Sequence, residues 1–210
     1  MRPTLPPRQR PEAHIDIAVL ASGSGTNLQA LIDTPSVRPH IRLVVSDNPD
    51  AQALARAEDH GIATSVVGWA DHRNRDSFSV AIADAIEQSG AKGVVLAGFM
   101  RILARSFIDR FPERILNIHP SLLPAFPGSH AVETAIDHGV KVSGVTVHFV
   151  DEMVDHGPIV AQVPVAVRPG DTVQTLHRRI RVEEHRIYPE VVEAFVEGRL
   201  RVEGRRVDWR

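Results

Sequence analysis

Over the first two thirds of the chain, short apolar runs alternate with stretches whose apolar residues fall at helix spacing. IDIAVLAS at 15–22 predicts a buried strand, and TNLQALID at 26–33 a helix with Leu28, Leu31 and Ile32 on one face. A second strand is predicted over IRLVVSD at 41–47 and a third over ATSVVG at 63–68. Between them PDAQALARAEDHG reads as a helix with proline near its start and Gly61 at its end. RDSFSVAIADAIEQSG at 75–90 is a helix with Phe78, Ile82 and Ile86 in register, stopped by Gly90. GVVLAG at 93–98 is a wholly apolar strand, and a helix near 105–110 leads to the strand ILNIH at 115–119.

This alternation implies βαβ units, hence an α/β fold with a Rossmann-like, mostly parallel sheet covered by helices on both faces. The pattern then changes. KVSGVTVHFVD at 141–151 alternates, and GPIVAQVPVAV at 157–167 reads as a strand-pair-like run, so the C-terminal part is expected to extend the sheet with antiparallel strands. A long helix over about 172–197, interrupted near Pro189, and a hairpin turning at Glu203-Gly204 complete the chain.

In parallel α/β sheets ligands bind outside the carboxyl ends of the strands. ILNIH therefore aims Asn117 and His119 into such a crevice. Pro120, Pro124 and Pro127 follow at once; they remove backbone donors and fix φ, which stiffens the segment beside two polar side chains.

The 210 residues are 43% hydrophobic, enough for one sizeable core, and a single domain over 14–210 is expected, with halves at about 14–112 and 113–210. Residues 1–13 carry charge and proline without an apolar run and read as a disordered leader, neither signal peptide nor anchor. A net charge of −2 gives no global pull toward nucleic acid or anionic lipid. With no cysteine, disulfides, thiolate metal sites and cysteine nucleophiles are excluded. These features together suggest a cytoplasmic protein.

ASGSGTNLQA joins the first strand to the first helix, and Gly23 and Gly25 permit tight backbone geometry where helix N–H groups favour an anion. No Gly-Lys-Ser/Thr follows, so this is not a nucleoside-triphosphate loop, and Leu28 stands where a dinucleotide fingerprint needs its third glycine. Asp47 lies where a ribose-binding acid would, although Asp47-Asn48-Pro49 equally suits a helix cap. A plain strand-to-helix turn remains the alternative. Gly23, Ser24, Gly25, Thr26 and Asn27 supply more donors than such a turn needs, and a mononucleotide or sugar phosphate fits better than NAD.

His119 can shuttle a proton near neutral pH, and the Asn117 amide can donate to a developing oxyanion. Together they suit acyl transfer without a covalent intermediate; Ser121 lacks a nucleophile elbow. A carboxylate to orient the histidine is available in VDEMVDHGP as Asp151, Glu152 or Asp155, though a solvated acidic turn is the bland reading. His148 is open between a satisfied sheet histidine and a functional one. No tight histidine pair argues for a metal site.

SGSGTNLQA, VVLAGFMRIL, LNIHPSLLPAFPG, GVTVHFV and VDHGPI occur here in order. This set resembles the phosphoribosylglycinamide formyltransferase family, folate-dependent enzymes of purine synthesis, over nearly all the chain after about His14. NIHPSLLP is shared by several formyltransferases; the glycine loop narrows the choice. The resemblance implies transfer of the formyl group of 10-formyltetrahydrofolate, a co-substrate, to the amine of glycinamide ribonucleotide, with no metal or tightly bound cofactor. By the same resemblance Asn117, His119 and Asp155 are the catalytic trio. Gly23, Ser24, Gly25, Thr26 and Asn27 hold the substrate phosphate, and Glu184 holds its ribose hydroxyls. Met100, Arg101, Ile102 and Leu103 form the pterin wall, with Asn117 beside it. Asp151, Glu152, Met153, Val154 and Asp155 close over the pterin, and Arg75, or Arg73 two residues away, meets the folate tail. A homodimer is plausible, with neither nucleic acid nor membrane as partner. The family often has Asn at Ser24 and a small residue at His156, so a titrating group stands beside Asp155. A methionyl-tRNA formyltransferase would add a basic RNA-binding domain, and a formyltetrahydrofolate hydrolase an N-terminal regulatory one. A nucleotide-dependent dehydrogenase and a silent phosphate-ligand binder are the readings from other classes.

Overall fold

The computed structural model describes residues 14–210, so the expectation for the leader at 1–13 lies outside the described residues. The strands are β1 (Ile17–Leu20), β2 (Ile41–Ser46), β3 (Ala63–Val66), β4 (Gly93–Leu96), β5 (Ile115–His119), β6 (Val142–Phe149), β7 (Ile159–Ala166), β8 (Leu200–Glu203) and β9 (Arg206–Trp209). The helices are α1 (Thr26–Ile32), α2 (Gln52–Glu58), α3 (Arg75–Gln88), α4 (Arg105–Ile108), α5 (Ala131–Asp137) and α6 (Val173–Val196).

Seven strands form one sheet in the order β3-β2-β1-β4-β5-β6-β7, and β8 and β9 pair separately as a hairpin. β1 to β5 run parallel, and β6 and β7 join antiparallel. The alternation of side chains divides the interior. Ala18, Leu20, Val45, Val94 and Leu96 face α3 and α4 through Phe78, Ile82, Ile86 and Phe107. Ile17, Val19, Val44, Val95 and Leu116 face the other way, against α1, α2 and α6. The strand order reverses between β1 and β4, which puts the loop after β1 at the topological switch point where open α/β sheets hold ligands.

Local chemistry explains the long helices. Asn74 and Ser77 form a reciprocal capping box at the start of α3, and Thr172 and Thr175 do the same for α6. Two expectations are corrected, and one helix is added. The helix over 172–197 is not interrupted: α6 runs through Pro189, whose neighbours Tyr188, Val191 and Val192 are buried against the sheet, and that packing outweighs the cost of about 3 kcal/mol for a mid-helix proline. The run at 157–167 is one strand, β7, because Pro164 is accommodated at the edge of the sheet and needs no turn. α5 had no clear helical signal, having no side-chain cap and a buried stripe of only Ala131, Val132 and Ala135.

Tyr188 ties this frame to the crevice. It is fully buried, and its hydroxyl donates to the Leu96 carbonyl at 2.7 Å and more weakly to that of Leu116 at 3.4 Å. α6 thereby bridges the carboxyl end of β4 and the start of β5.

Candidate active site

β5 brings Asn117 and His119 to the carboxyl edge of the sheet, and β6 runs beside it with Asn117 opposite His148 and His119 opposite Thr146. The loop after β6 then folds back and delivers Asp155. His119 Nδ1 stands 3.3 Å from Asp155 Oδ2, and the Asn117 amide nitrogen 3.4 Å from Asp155 Oδ1. Asp155 has φ 52°, a left-handed conformation that Asp adopts more readily than most residues. The proline-rich segment after β5 serves the same cluster. The Gly128 N–H donates to Asp155 Oδ2 at 2.7 Å, and the Phe126 carbonyl lies 2.8 Å from His119 Nε2. A buried support lies below: Thr146 Oγ1 donates to the Ser121 carbonyl at 2.7 Å, and the Gln162 amide to the Leu123 carbonyl at 2.8 Å.

The two nitrogens of His119 make opposed demands on a neutral ring. If Nε2–H donates to Phe126, the Nδ1 lone pair faces a carboxylate; if Nδ1–H donates to Asp155, Nε2 faces a carbonyl. An imidazolium satisfies both. Burial opposes it and holds the His119 pKa below the usual histidine value, against the pull of Asp155 and the Phe126 carbonyl and with a further push from His148. For Asp155, burial raises the pKa, but the His148 ring, the Gly128 N–H and the charge on His119 outweigh it and hold the carboxyl below its ordinary range. Both shifts favour an ionised Asp155 and a neutral His119 near neutral pH, with hydrogen-bond acceptors facing both nitrogens of the ring.

His148 is the residue that sequence reasoning left undecided. It is buried, its Nε2 lies 3.2 Å from the Asn117 amide nitrogen and 3.7 Å from Asp155 Oδ1, and its Nδ1 lies 2.8 Å from the Phe149 carbonyl. With Nδ1–H donated to that carbonyl, the neutral ring accepts from Asn117 at Nε2, and the protonated ring donates there toward Asp155, the interaction that lowers the pKa of the Asp155 carboxyl. An antiparallel β5–β6 pairing in the right register would have found it.

The glycine loop stands at the start of α1. Gly25 is its N-cap, with φ 67° and no side-chain capping bond, so the first-turn N–H groups are left to a ligand or water. A side chain at Gly25 would meet Ala53 Cα at 2.7 Å. Arg56 braces the loop from α2, donating from Nε to the Ser24 carbonyl at 2.8 Å. Behind the loop, the Asn27 amide donates at 3.2 Å to Glu184, a buried residue of α6 whose pKa is raised by burial.

The wall residues follow β4. Met100 and Ile102 are 70% and 57% exposed, an unusual setting for large apolar side chains, while Leu103 is buried in the sheet-helix core. Met153 and Val154, in the loop after β6, are likewise exposed. Arg105 Nη1 pairs with Glu152 at 3.2 Å, joining this wall to that loop. The Met100 N–H donates to Ser22 Oγ at 2.9 Å, joining it to the end of β1. The Arg101 side chain turns aside to pair with Asp47 at 2.7 Å and lie over the Trp69 ring. Asp47 is thus an arginine partner and not the N-cap of α2, which is Ala51. Arg73 and Arg75 are both exposed where α3 begins, Arg75 as its first residue. Among the described residues, no group of three or more His, Cys, Asp or Glu side chains is placed to hold a metal ion.

The sequence profile described as formyl transferase matches residues 15–192. The chain belongs to the formyl transferase family. Within that family it is 44% identical over 201 residues to the phosphoribosylglycinamide formyltransferase of Mycobacterium tuberculosis, covering 95% of this chain and 94% of that one. It is 46% identical over 197 residues to the trifunctional purine biosynthetic protein adenosine-3 of Bos taurus, covering 92% of this chain but only 20% of the length of that relative. Among solved structures, glycinamide ribonucleotide transformylase 1 from Symbiobacterium toebii superposes with a TM-score of 0.90 at 50% identity, covering 93% of this chain and 94% of that one.

Proposed function

We propose that this formyl transferase moves the formyl group of 10-formyltetrahydrofolate to the amine of N1-(5-phospho-D-ribosyl)glycinamide in purine biosynthesis. The observation that carries the reading is the cluster of Asn117, His119 and Asp155 at the end of β5. Beside it lie an uncapped glycine loop suited to a phosphate and an exposed apolar wall suited to a pterin.

The amine attacks the N10-formyl carbon and a tetrahedral oxyanion forms. The Asn117 amide gives up its long 3.4 Å contact with Asp155 and donates to that oxygen, and His119 takes up positive charge beside it as the amine sheds its proton. Asp155 and the Phe126 carbonyl already face the two ring nitrogens, so the imidazolium forms with little rearrangement. The proton then passes, through water held at Asp155, to the leaving N10. His148 orients the Asn117 amide. Gly23, Ser24, Gly25, Thr26 and Asn27 hold the phosphate, and Glu184 the ribose. Met100, Arg101, Ile102 and Leu103 present backbone and apolar surface to the pterin, residues 151–155 cover it, and Arg75 meets the tail.

We further propose a single catalytic unit over 14–210, with a phosphate-binding half at about 14–112 and a folate and catalytic half beyond, working in the cytoplasm and capable of homodimer formation. Among the described residues, no helix is long and apolar enough to cross a membrane.

The test is an absorbance assay with 10-formyltetrahydrofolate, with and without the ribonucleotide. Deformylation that requires the ribonucleotide and yields its formylated product supports the reading. Formate released without it indicates a hydrolase, and no turnover of either kind removes the transferase reading.

A further inference from the structure

The loop that carries Asp155 has a second anchor outside the site, and it comes from the end of the chain. Its base is closed by the backbone: the Phe149 N–H donates to the Pro158 carbonyl at 2.8 Å, and a Cβ at Gly157 would lie 1.8 Å from the Phe149 carbonyl oxygen. Its inner face is held at Asp155. Its outer face carries His156, the residue after Asp155. His156 Nδ1 stands 2.7 Å from Asp151 Oδ2, in the same loop. Arg205 approaches from the other side. Its Nη2 donates to the His156 carbonyl at 2.8 Å, and its Nη1 lies over the ring, 3.2 Å from His156 Nε2 and 3.4 Å from Nδ1.

Arg205 follows Gly204, whose φ of 62° makes the tight turn between β8 and β9, so it stands at the tip of the C-terminal hairpin. That hairpin is fixed at its other side: Leu200, Val202 and Val207 pack on the core cluster that includes Phe149 and Val165. A rigid arm thus reaches from the core to the peptide that follows Asp155.

One arm of the guanidinium lies over the His156 ring, nearly equidistant from its two nitrogens, and leaves Nδ1–H free to donate in the ring plane to Asp151. The other arm fixes the backbone carbonyl. Lysine, a single point donor, cannot reproduce that fork.

We propose that Arg205 and His156 are positioning residues for formyl transfer: the C-terminal hairpin latches the loop 151–157 and holds Asp155 and the apolar pair Met153 and Val154 in the geometry that receives the folate. This rests on the functional reading above only in naming the folate as what the loop covers. The hairpin touches neither the glycine loop nor α1 through this contact, so its effect falls on one substrate.

Both latch residues are exposed, so the contact is modest and reversible. Arg205→Ala is expected to raise the KM for 10-formyltetrahydrofolate about three- to tenfold and to lower kcat a few-fold, with the KM for the ribonucleotide unchanged. Arg205→Lys should behave like Arg205→Ala. His156→Asn, which keeps a donor for Asp151 but loses the ring that the guanidinium lies over, should fall between. Arg206→Ala, in the same hairpin, serves as the control. Hydrogen exchange of the free protein supplies a readout independent of turnover: Arg205→Ala should speed exchange in 151–157 while the core strands keep their protection. Unchanged exchange in that loop together with unchanged folate KM overturns the latch, as does full rescue by lysine. If the wild-type chain shows no formyl transfer, the functional reading fails while the exchange comparison still decides the latch.

Discussion

In the loop after β1 the backbone does the holding, whereas in the seam between β5 and β6 side chains do. Gly25, with its left-handed φ, points uncapped N–H groups out of α1, and Ala53 and Arg56 brace the loop through the carbonyls of Gly23 and Ser24. At the seam, Asn117, His119, His148 and Asp155 satisfy one another across gaps of 3.2–3.7 Å, from three separate segments. On the proposed function, the difference follows from the chemistry asked of each. A phosphate keeps its charge throughout, so fixed dipoles suffice. A migrating proton needs groups that titrate, and their pKa values must be set by burial and by partners.

The strongest way to break the comparison is to remove one side chain from the seam. Asp155→Asn keeps the volume but deletes the charge that favours the imidazolium, and Asn117→Ala deletes the proposed oxyanion donor. Each is expected to lower kcat by about 10²–10³, or about 2.7–4 kcal/mol, with ribonucleotide affinity nearly unchanged and an intact circular dichroism spectrum. Steady-state kinetics with both substrates check this, and wild-type turnover in Asp155→Asn would remove it from the proposed trio.

The glycine loop should answer to backbone changes instead. Gly25→Ala meets both a positive φ and a Cβ contact of 2.7 Å with Ala53 Cα, so it should destabilise the protein by about 1–3 kcal/mol, read as a lower unfolding midpoint. Gly23 has no such φ and nothing within 4 Å of its added Cβ. Gly23→Ala should leave the midpoint alone and raise only the KM for the ribonucleotide, because the new methyl stands in the space open to the ligand. A midpoint shift of equal size in both variants would mean that the loop's geometry is no more demanding at one glycine than at the other.

This contrast explains what could be read in advance. The parallel sheet was legible because β1, β2 and β4 are apolar runs separated by helices with ordinary stops such as Gly61 and Gly90. The nearness of Asn117 and His119 was legible because two residues on one strand share a face. Nomination of Asp155 over Asp151 and Glu152 depended on the family resemblance. The role of the prolines was half legible: stiffness follows from composition, but the service of the Phe126 carbonyl and Gly128 N–H to His119 and Asp155 depends on a fold-back no local pattern encodes. His148 needed the β5–β6 register, and Arg205 the packing of a hairpin far along the chain. α6 ran through Pro189 because tertiary burial overrode a local preference.

Titration sharpens the seam further. His119 has a folded pKa below its unfolded value of about 6.5, so on acidification the unfolded chain binds the proton first. Stability is therefore lost as pH falls from about 6.5 toward the folded pKa. Asp155, also depressed, adds stability above its unfolded value of about 3.9 and loses it as pH falls through the folded pKa. His177 and His185 are lowered by burial too and act in the first window. The contribution of His119 is thus read as a difference: urea midpoints of wild type and His119→Gln should converge as pH falls from 7 to 5. Parallel curves would mean that burial does not hold the ring neutral.

The smallest effect is expected behind the glycine loop, where α6 backs it. Glu184 projects from α6 to Asn27 at the glycine loop, buried and with a raised pKa. Glutamine can still accept from Asn27 through its carbonyl oxygen, and it removes a buried charge, so Glu184→Gln should keep or slightly raise the unfolding midpoint. In the ribose-binding role proposed for it, what it loses is the extra strength of a charged acceptor, about 1 kcal/mol, which corresponds to about a fivefold rise in KM for the ribonucleotide. Because the carboxylate stands outside the path of the proton, kcat should hold. A fall in kcat as large as that of Asp155→Asn would place Glu184 in the proton's path and dissolve the division between a region that grips an anion and one that moves a proton.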